Sequence, residues 1–206
     1  MANNQVSREF LFRRMHSLLG VVPVTLFLFF HLFTNASATV GEAAFNERVE
    51  GIESLPFLAI IEFVFIFLPL LYHGVYGMYV AYTSGYNASR YSWFRNVMFT
   101  LQRISGVITF IFIIYHLWTT RFSGDTPSFD MVVNVVSSPF GYWFMIIGVV
   151  AAVFHLANGL WGFFIHWGIT VGPRAQRVSA YALMGLFVVL SAIGIRALQA
   201  FHAAVA

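Results

Sequence analysis

Seven histidines and no cysteine set the chemistry open to this chain of 206 residues. Without a thiol there is no disulfide framework, no thiolate-held iron–sulfur cluster and no covalent haem attachment of the C-x-x-C-H kind. Any metal or haem is left to His, Met or carboxylate ligands. His31, His73, His116, His155 and His166 all fall inside or at the edge of apolar runs. An ionisable residue inside a membrane is costly and usually faces the interior of a helix bundle. One such histidine alone needs no more than a hydrogen-bonding neighbour. Four successive runs with one histidine each at internal depth form a pattern that the single-residue explanation does not cover.

Depth decides how the four pair. His31 lies 17 residues beyond Arg14, which marks the start of the first run, and His116 lies 13 beyond Arg103 at the start of the third. At 1.5 Å per residue these are about 25 Å and about 20 Å above the starting side. The second and fourth runs travel the other way. His73 is about 10 residues from Tyr82-Thr83 and His155 is 12 from Trp167, or about 15 Å and 18 Å above the same side. The expected pairs are therefore His31 with His116 near the outer side and His73 with His155 near the inner side. Two histidines facing each other across a bundle at matched height are a ligand set for a six-coordinate haem iron.

Glycines accompany them. Gly77 and Gly159 each follow a histidine by four residues and share its face. Gly20 and Gly148 return to the faces of His31 and His155 at the level of the other pair. Small residues there admit a flat macrocycle, or simply a close helix crossing. His166, beside Trp167, competes with His155 as a ligand but sits near the inner interface, and His202 is expected in solvent at the outer terminus. Glu62 is the one acid well inside a run, 11 residues above His73. It is a candidate for proton delivery near the outer pair, or a carboxyl satisfied by a neighbouring helix. Arg14, His16, Ser17, Arg103 and Ser105 cluster at the inner helix starts as candidate partners for haem propionates, and Asn35, Thr119, Thr120 and Arg121 are the outer candidates.

The elements that position these residues follow from composition. Hydrophobic residues make up 59% of the chain and charged ones 9%, against roughly 25% charged in soluble domains. The apolar runs are continuous rather than alternating, which selects helices over a barrel. They extend from about Leu18 to Phe33, Leu55 to Tyr82, Ile104 to Thr119, Tyr142 to Trp167 and Val178 to Phe201. The expected fold is an all-α integral membrane protein of five transmembrane helices, four of them bundled around two stacked haems, as a single domain over residues 1–206. Arg8, Arg13, Arg14, Arg90, Arg95, Arg174 and Arg177 flank one side, while Glu42, Glu47, Glu50, Glu53, Asp125 and Asp130 gather on the other. The positive-inside rule then puts the N-terminus in the cytoplasm and the C-terminus outside, against a minority of Arg48, Arg121 and Arg196. The basic balance reports orientation in a lipid bilayer, with no nucleic acid implied. Arg13-Arg14, the first run and Ala36-Ser37-Ala38 also resemble a cleaved secretory signal, but His31 inside the run favours a retained span.

Taken together, Arg14-Met15-His16-Ser17-Leu18-Leu19-Gly20 leading to His31-Leu32-Phe33-Thr34-Asn35, then Tyr72-His73-Gly74, Gln102-Arg103-Ile104-Ser105-Gly106, His116-Leu117 and His155-Leu156-Ala157-Asn158-Gly159 form a series. It resembles the cytochrome b membrane-anchor subunit of succinate:quinone oxidoreductases, of the single-chain, five-helix, di-haem kind in bacteria that use menaquinone. The resemblance implies two non-covalent bis-histidine b haems. It also implies a flavoprotein subunit and an iron–sulfur subunit on the cytoplasmic side, and a quinone-reducing site in the bacterial cytoplasmic membrane. Succinate itself would be oxidised by the partner, since the chain has no room for an organic-acid active site. One departure stands out: related fumarate reductases carry a glutamate two residues before the fourth-helix histidine, where this chain has Val153. Two other functions share parts of the pattern. A di-haem carrier for a hydrogenase or formate dehydrogenase keeps the histidines and changes the partner, and a haem-free proton-coupled transporter makes them a relay.

Overall fold

The computed structural model describes residues 2–85, 87 and 89–205, and among these there is no strand. Five helices are long and apolar enough to cross a membrane: Arg8–Thr39, Leu58–Thr83, Phe94–Thr119, Pro139–His166 and Pro173–Ala203. The protein is multi-pass. Most spans run past the apolar limits read from the sequence, because a helix satisfies its own backbone polar groups whether the flanking side chains are apolar or not. Trp93, Trp118 and Trp143 are exposed near span ends, where amphipathic rings sit at the headgroup level.

The spans begin where local chemistry allows. Ser138 accepts a hydrogen bond from the Gly141 N–H at 3.0 Å, with Pro139 in the first turn of the fourth span. Gly172, at a φ of 84°, turns the chain before Pro173 opens the fifth. Two prolines lie within spans. Pro23 sits in a wide π turn over Gly20–Val24, and Pro69 follows another over Phe63–Phe67. A proline has no N–H to donate and crowds the preceding turn, and a widened turn relieves both. Thr25 donates its hydroxyl to the Gly20 carbonyl at 2.9 Å, across the wide turn.

The first span packs on the second, the second on the third and the third on the fourth. The fourth touches the π turn of the first and closes a four-helix ring, while the fifth lies against the first and fourth. Val153 is 0% exposed in a cluster with Leu32, Leu156, Leu160 and Leu190, so it is tight apolar packing.

The two connections on the acidic face are not plain loops. They hold the helices Glu42–Glu53 and Phe129–Val136. Phe45, Phe129, Val132 and Val136 bury against Phe201 and Met145, and Asn46 accepts the Phe129 N–H at 2.8 Å. Ser37 and Ala38, within the signal-like triplet, are buried under this cap. The fifth span ends inside it as well: His202 stacks on Tyr142 at 4.1 Å and donates to the Val136 carbonyl at 2.9 Å. The expectation of a solvated His202 is thus corrected, the reason being that the neighbouring connection is folded.

Gly148 meets the ring of Phe112, which would collide with a Cβ there, whereas nothing lies within 4 Å of a Cβ on Gly162. Gly148→Val is therefore expected to lower stability by about 1–3 kcal/mol through overpacking, with Gly162→Ala neutral. Thermal unfolding of the two detergent-solubilised variants checks the contrast.

Candidate functional site

The ring of spans brings the four internal histidines together in two pairs. His31 and His116 face each other with ring centroids 5.7 Å apart, and His73 and His155 with centroids 6.1 Å apart, the planes crossing at 78° in both. Two imidazoles bonded to one metal from opposite sides through bonds of about 2 Å have centroids roughly 6 Å apart. Both pairs meet that spacing. Among the described residues no three His, Cys, Asp or Glu side chains converge on one point, so each level presents two facing imidazoles.

The pairs lie at separate levels. His16 stacks on His73 with centroids 4.2 Å apart and is 15 residues from His31, or about 22 Å along the first span. The level near the N-terminus, on the basic face, holds His73 and His155, and the acidic-face level holds His31 and His116.

The surroundings differ. His73 donates Nδ1–H to the His16 carbonyl at 2.9 Å, and His155 donates Nδ1–H to the Gln102 carbonyl at 3.0 Å. Both rings are thereby held in the tautomer that leaves Nε2 with a free lone pair. Gly20 leaves the space that the His73 ring fills, and a Cβ on Gly106 would come within 2.9 Å of His155. In the other pair, Asn35 donates to the His31 carbonyl at 2.8 Å, with its amide nitrogen 3.4 Å from His31 Nε2. His116 Nδ1 is buried without a hydrogen-bond partner, as is His16 Nε2. Buried polar atoms are seldom left unpaired, so two such nitrogens beside the two pairs fit sites that accept a further group.

The glycines divide. Gly20 lies against His73, and Gly148 lies against Phe112, whose ring stacks on His116 at 5.5 Å; both are at the levels expected. Gly77 instead faces His16 Nε2 and Gly159 faces the Gln102 amide, so polar side chains occupy the notches read as room for a macrocycle.

The proposed propionate partners also separate. His16 and Ser105 lie at the basic-face pair, with Ser105 Oγ 3.3 Å from His155 Nδ1. Ser17 accepts from Trp167 Nε1 at 3.4 Å, and the Arg14 guanidinium lies 4.6 Å from the Trp167 ring centre. Arg103 donates to Ser84 at 2.9 Å and to the Phe99 carbonyl at 3.0 Å. His166 donates to its own helix at Gly162 at 2.7 Å. Glu62 sits near the acidic-face end of the second span, 18% exposed, and takes Arg121 Nη2 at 2.7 Å and Nε at 3.1 Å. That hydrogen bond raises the Arg121 pKa above its ordinary value. Sequence reading missed the Gln102 and Asn158 contacts, because a lone amide on an apolar helix has no periodic signature.

Against this geometry the comparisons are specific. Residues 85–194, just over half the chain, match the family of succinate dehydrogenase/fumarate reductase transmembrane subunits. The chain belongs to that family. It is 50% identical over 198 residues to the succinate dehydrogenase cytochrome b558 subunit of Bacillus subtilis (strain 168), covering 95% of this chain and 98% of that relative. No solved structure matches it. Neither a hydrogenase- or formate-linked carrier nor a haem-free transporter is favoured by these relatives.

Proposed function

We propose that this chain is the membrane-anchor and electron-transfer subunit of a succinate dehydrogenase, with two b haems held by His31/His116 and His73/His155. The observation that carries the reading is the pair geometry: two imidazole pairs at separate levels, each with its ring centres at the spacing expected of two ligands to one metal, inside a chain whose relative is by name a cytochrome b. When bound, each haem supplies a one-electron iron couple. The chain's own residues do the rest. The His16 and Gln102 carbonyls fix the tautomers of His73 and His155, and the ring of spans keeps both pairs dry. His16, Ser105, Arg14, Ser17 and Arg103 are the proposed partners for propionates at the basic face.

The basic face is the proposed cytoplasmic side, where a flavoprotein subunit and an iron–sulfur subunit dock and deliver electrons from succinate. Menaquinone is the proposed acceptor, in the bacterial cytoplasmic membrane. Glu62 is the proposed proton donor to quinone, poised at the acidic-face end by Arg121.

Leucine at His31 or His116 is expected to remove one haem and leave the other, and leucine at His73 or His155 to remove the second alone. Haem per polypeptide, resolved by low-temperature spectra, measures this; a variant of one pair that disturbed the other haem selectively would break the assignment. Glu62→Gln is expected to keep both haems and slow quinone reduction on the order of 10²-fold. Unchanged turnover would leave Glu62 as a tie to Arg121 and nothing more.

A further inference from the structure

The third and fourth spans share a polar clamp beside His155. Gln102 accepts the His155 Nδ1–H on its carbonyl at 3.0 Å, and its side-chain Nε2 donates back to the His155 carbonyl at 3.0 Å. Asn158 Nδ2, one turn further along the fourth span, donates to Gln102 Oε1 at 2.8 Å and to the Met98 carbonyl at 2.9 Å. The second contact fixes which way the Gln102 amide points, since its oxygen faces Asn158 and its nitrogen is left to face His155. Gly159 provides the room: a Cβ there would come within 3.0 Å of Gln102 Nε2. The same amide nitrogen lies 3.2 Å from His155 Nδ1 and 3.4 Å from Nε2. It therefore rests against the ring.

We propose that the Gln102 and Asn158 side chains are positioning residues that set the ring angle of His155 and the strength of its Nδ1–H bond to the Gln102 main-chain carbonyl, and through them the redox and spectroscopic properties of the centre it binds. The proposal rests on the reading of His155 as a haem ligand. A helix crossing held by two amides would need only one contact between them. Here the bonds run in a closed circuit through the histidine: the Gln102 side-chain amide holds the His155 carbonyl, and the Gln102 main-chain carbonyl receives Nδ1–H, so losing the amide bond loosens the fit between the two spans that keeps the second bond short. In the other pair Asn35 contacts His31 from within the same span, and among the described residues His116 Nδ1 has no hydrogen-bond partner, so no such circuit joins two spans there. An imidazole that donates its second N–H is a more basic ligand and favours the oxidised metal. Loosening that bond therefore raises the midpoint potential.

The test uses the assembled complex with its partner subunits, by redox titration and EPR of the oxidised state. Gln102→Met and Asn158→Leu are each expected to raise the midpoint potential of one haem and displace one low-spin signal, with the second haem at its wild-type values. The double variant should shift no further than Gln102→Met, because the two amides act as one unit. Asn158→Ser, which keeps a donor, should fall between wild type and Asn158→Leu. Loss of one haem alone in Gln102→Met would also support the proposal. If that variant fails to assemble, the comparison of Asn158→Leu with Asn158→Ser decides it in the same way. Wild-type potentials and signals in both variants, or an equal shift of both haems, would overturn it. If His155→Leu kept both haems, the ligand reading itself would fall instead.

Discussion

An imidazole placed in the interior of a membrane bundle has two nitrogens to satisfy and no water to satisfy them. The rest of this structure answers that requirement. The chain contributes carbonyls at His16 and Gln102 for the Nδ1–H groups of His73 and His155, and leaves Nε2 of each to something else. A hydrogen-bonded pair of imidazoles would consume those nitrogens on each other, with ring centres closer than the 5.7 Å and 6.1 Å observed. The spacing instead leaves room for one metal between each pair. Four helices, each supplying one histidine, present the two pairs at two heights, and the fifth lies against the first and fourth.

Tight packing around the pairs follows from the same requirement. Gly20 and Gly106 give up their side chains where the His73 and His155 rings lie, and Gly148 does so for the Phe112 ring that stacks on His116. At the acidic face the connections fold into a cap with Phe201 fully buried, which covers that end of the bundle. Glu62 and Arg121 meet at the same end. An ion pair in a partly exposed setting contributes little stability, so it adds little to how firmly the helices pack.

The histidine pairs were legible in the sequence because depth along a straight apolar helix is a count of residues, and Arg14, Arg103 and Trp167 mark where the counting starts. The two levels found for His31/His116 and His73/His155 follow from that alone. The span ends were less legible, since hydropathy falls off at the interface while the helix continues, as it does from Arg8 to Leu18. The acidic-face helices were missed because Glu42–Glu53 and Phe129–Val136 are short and gain their burial from each other and from the fifth span, a tertiary effect with no local signal. His202 was misplaced for the same reason. The carbonyl partners of the histidines and the Gln102–Asn158 clamp depend on which helix lies beside which, and spacing within one span carries no record of that.

The central claim is that the two imidazole pairs are two haem sites. A pyridine haemochrome assay on the purified chain, with haem counted per polypeptide and EPR of the oxidised protein, tests it most directly. Two non-covalent b haems per chain with two low-spin bis-histidine signals are the predicted result. A colourless protein, or one haem with both histidine pairs intact, would contradict it.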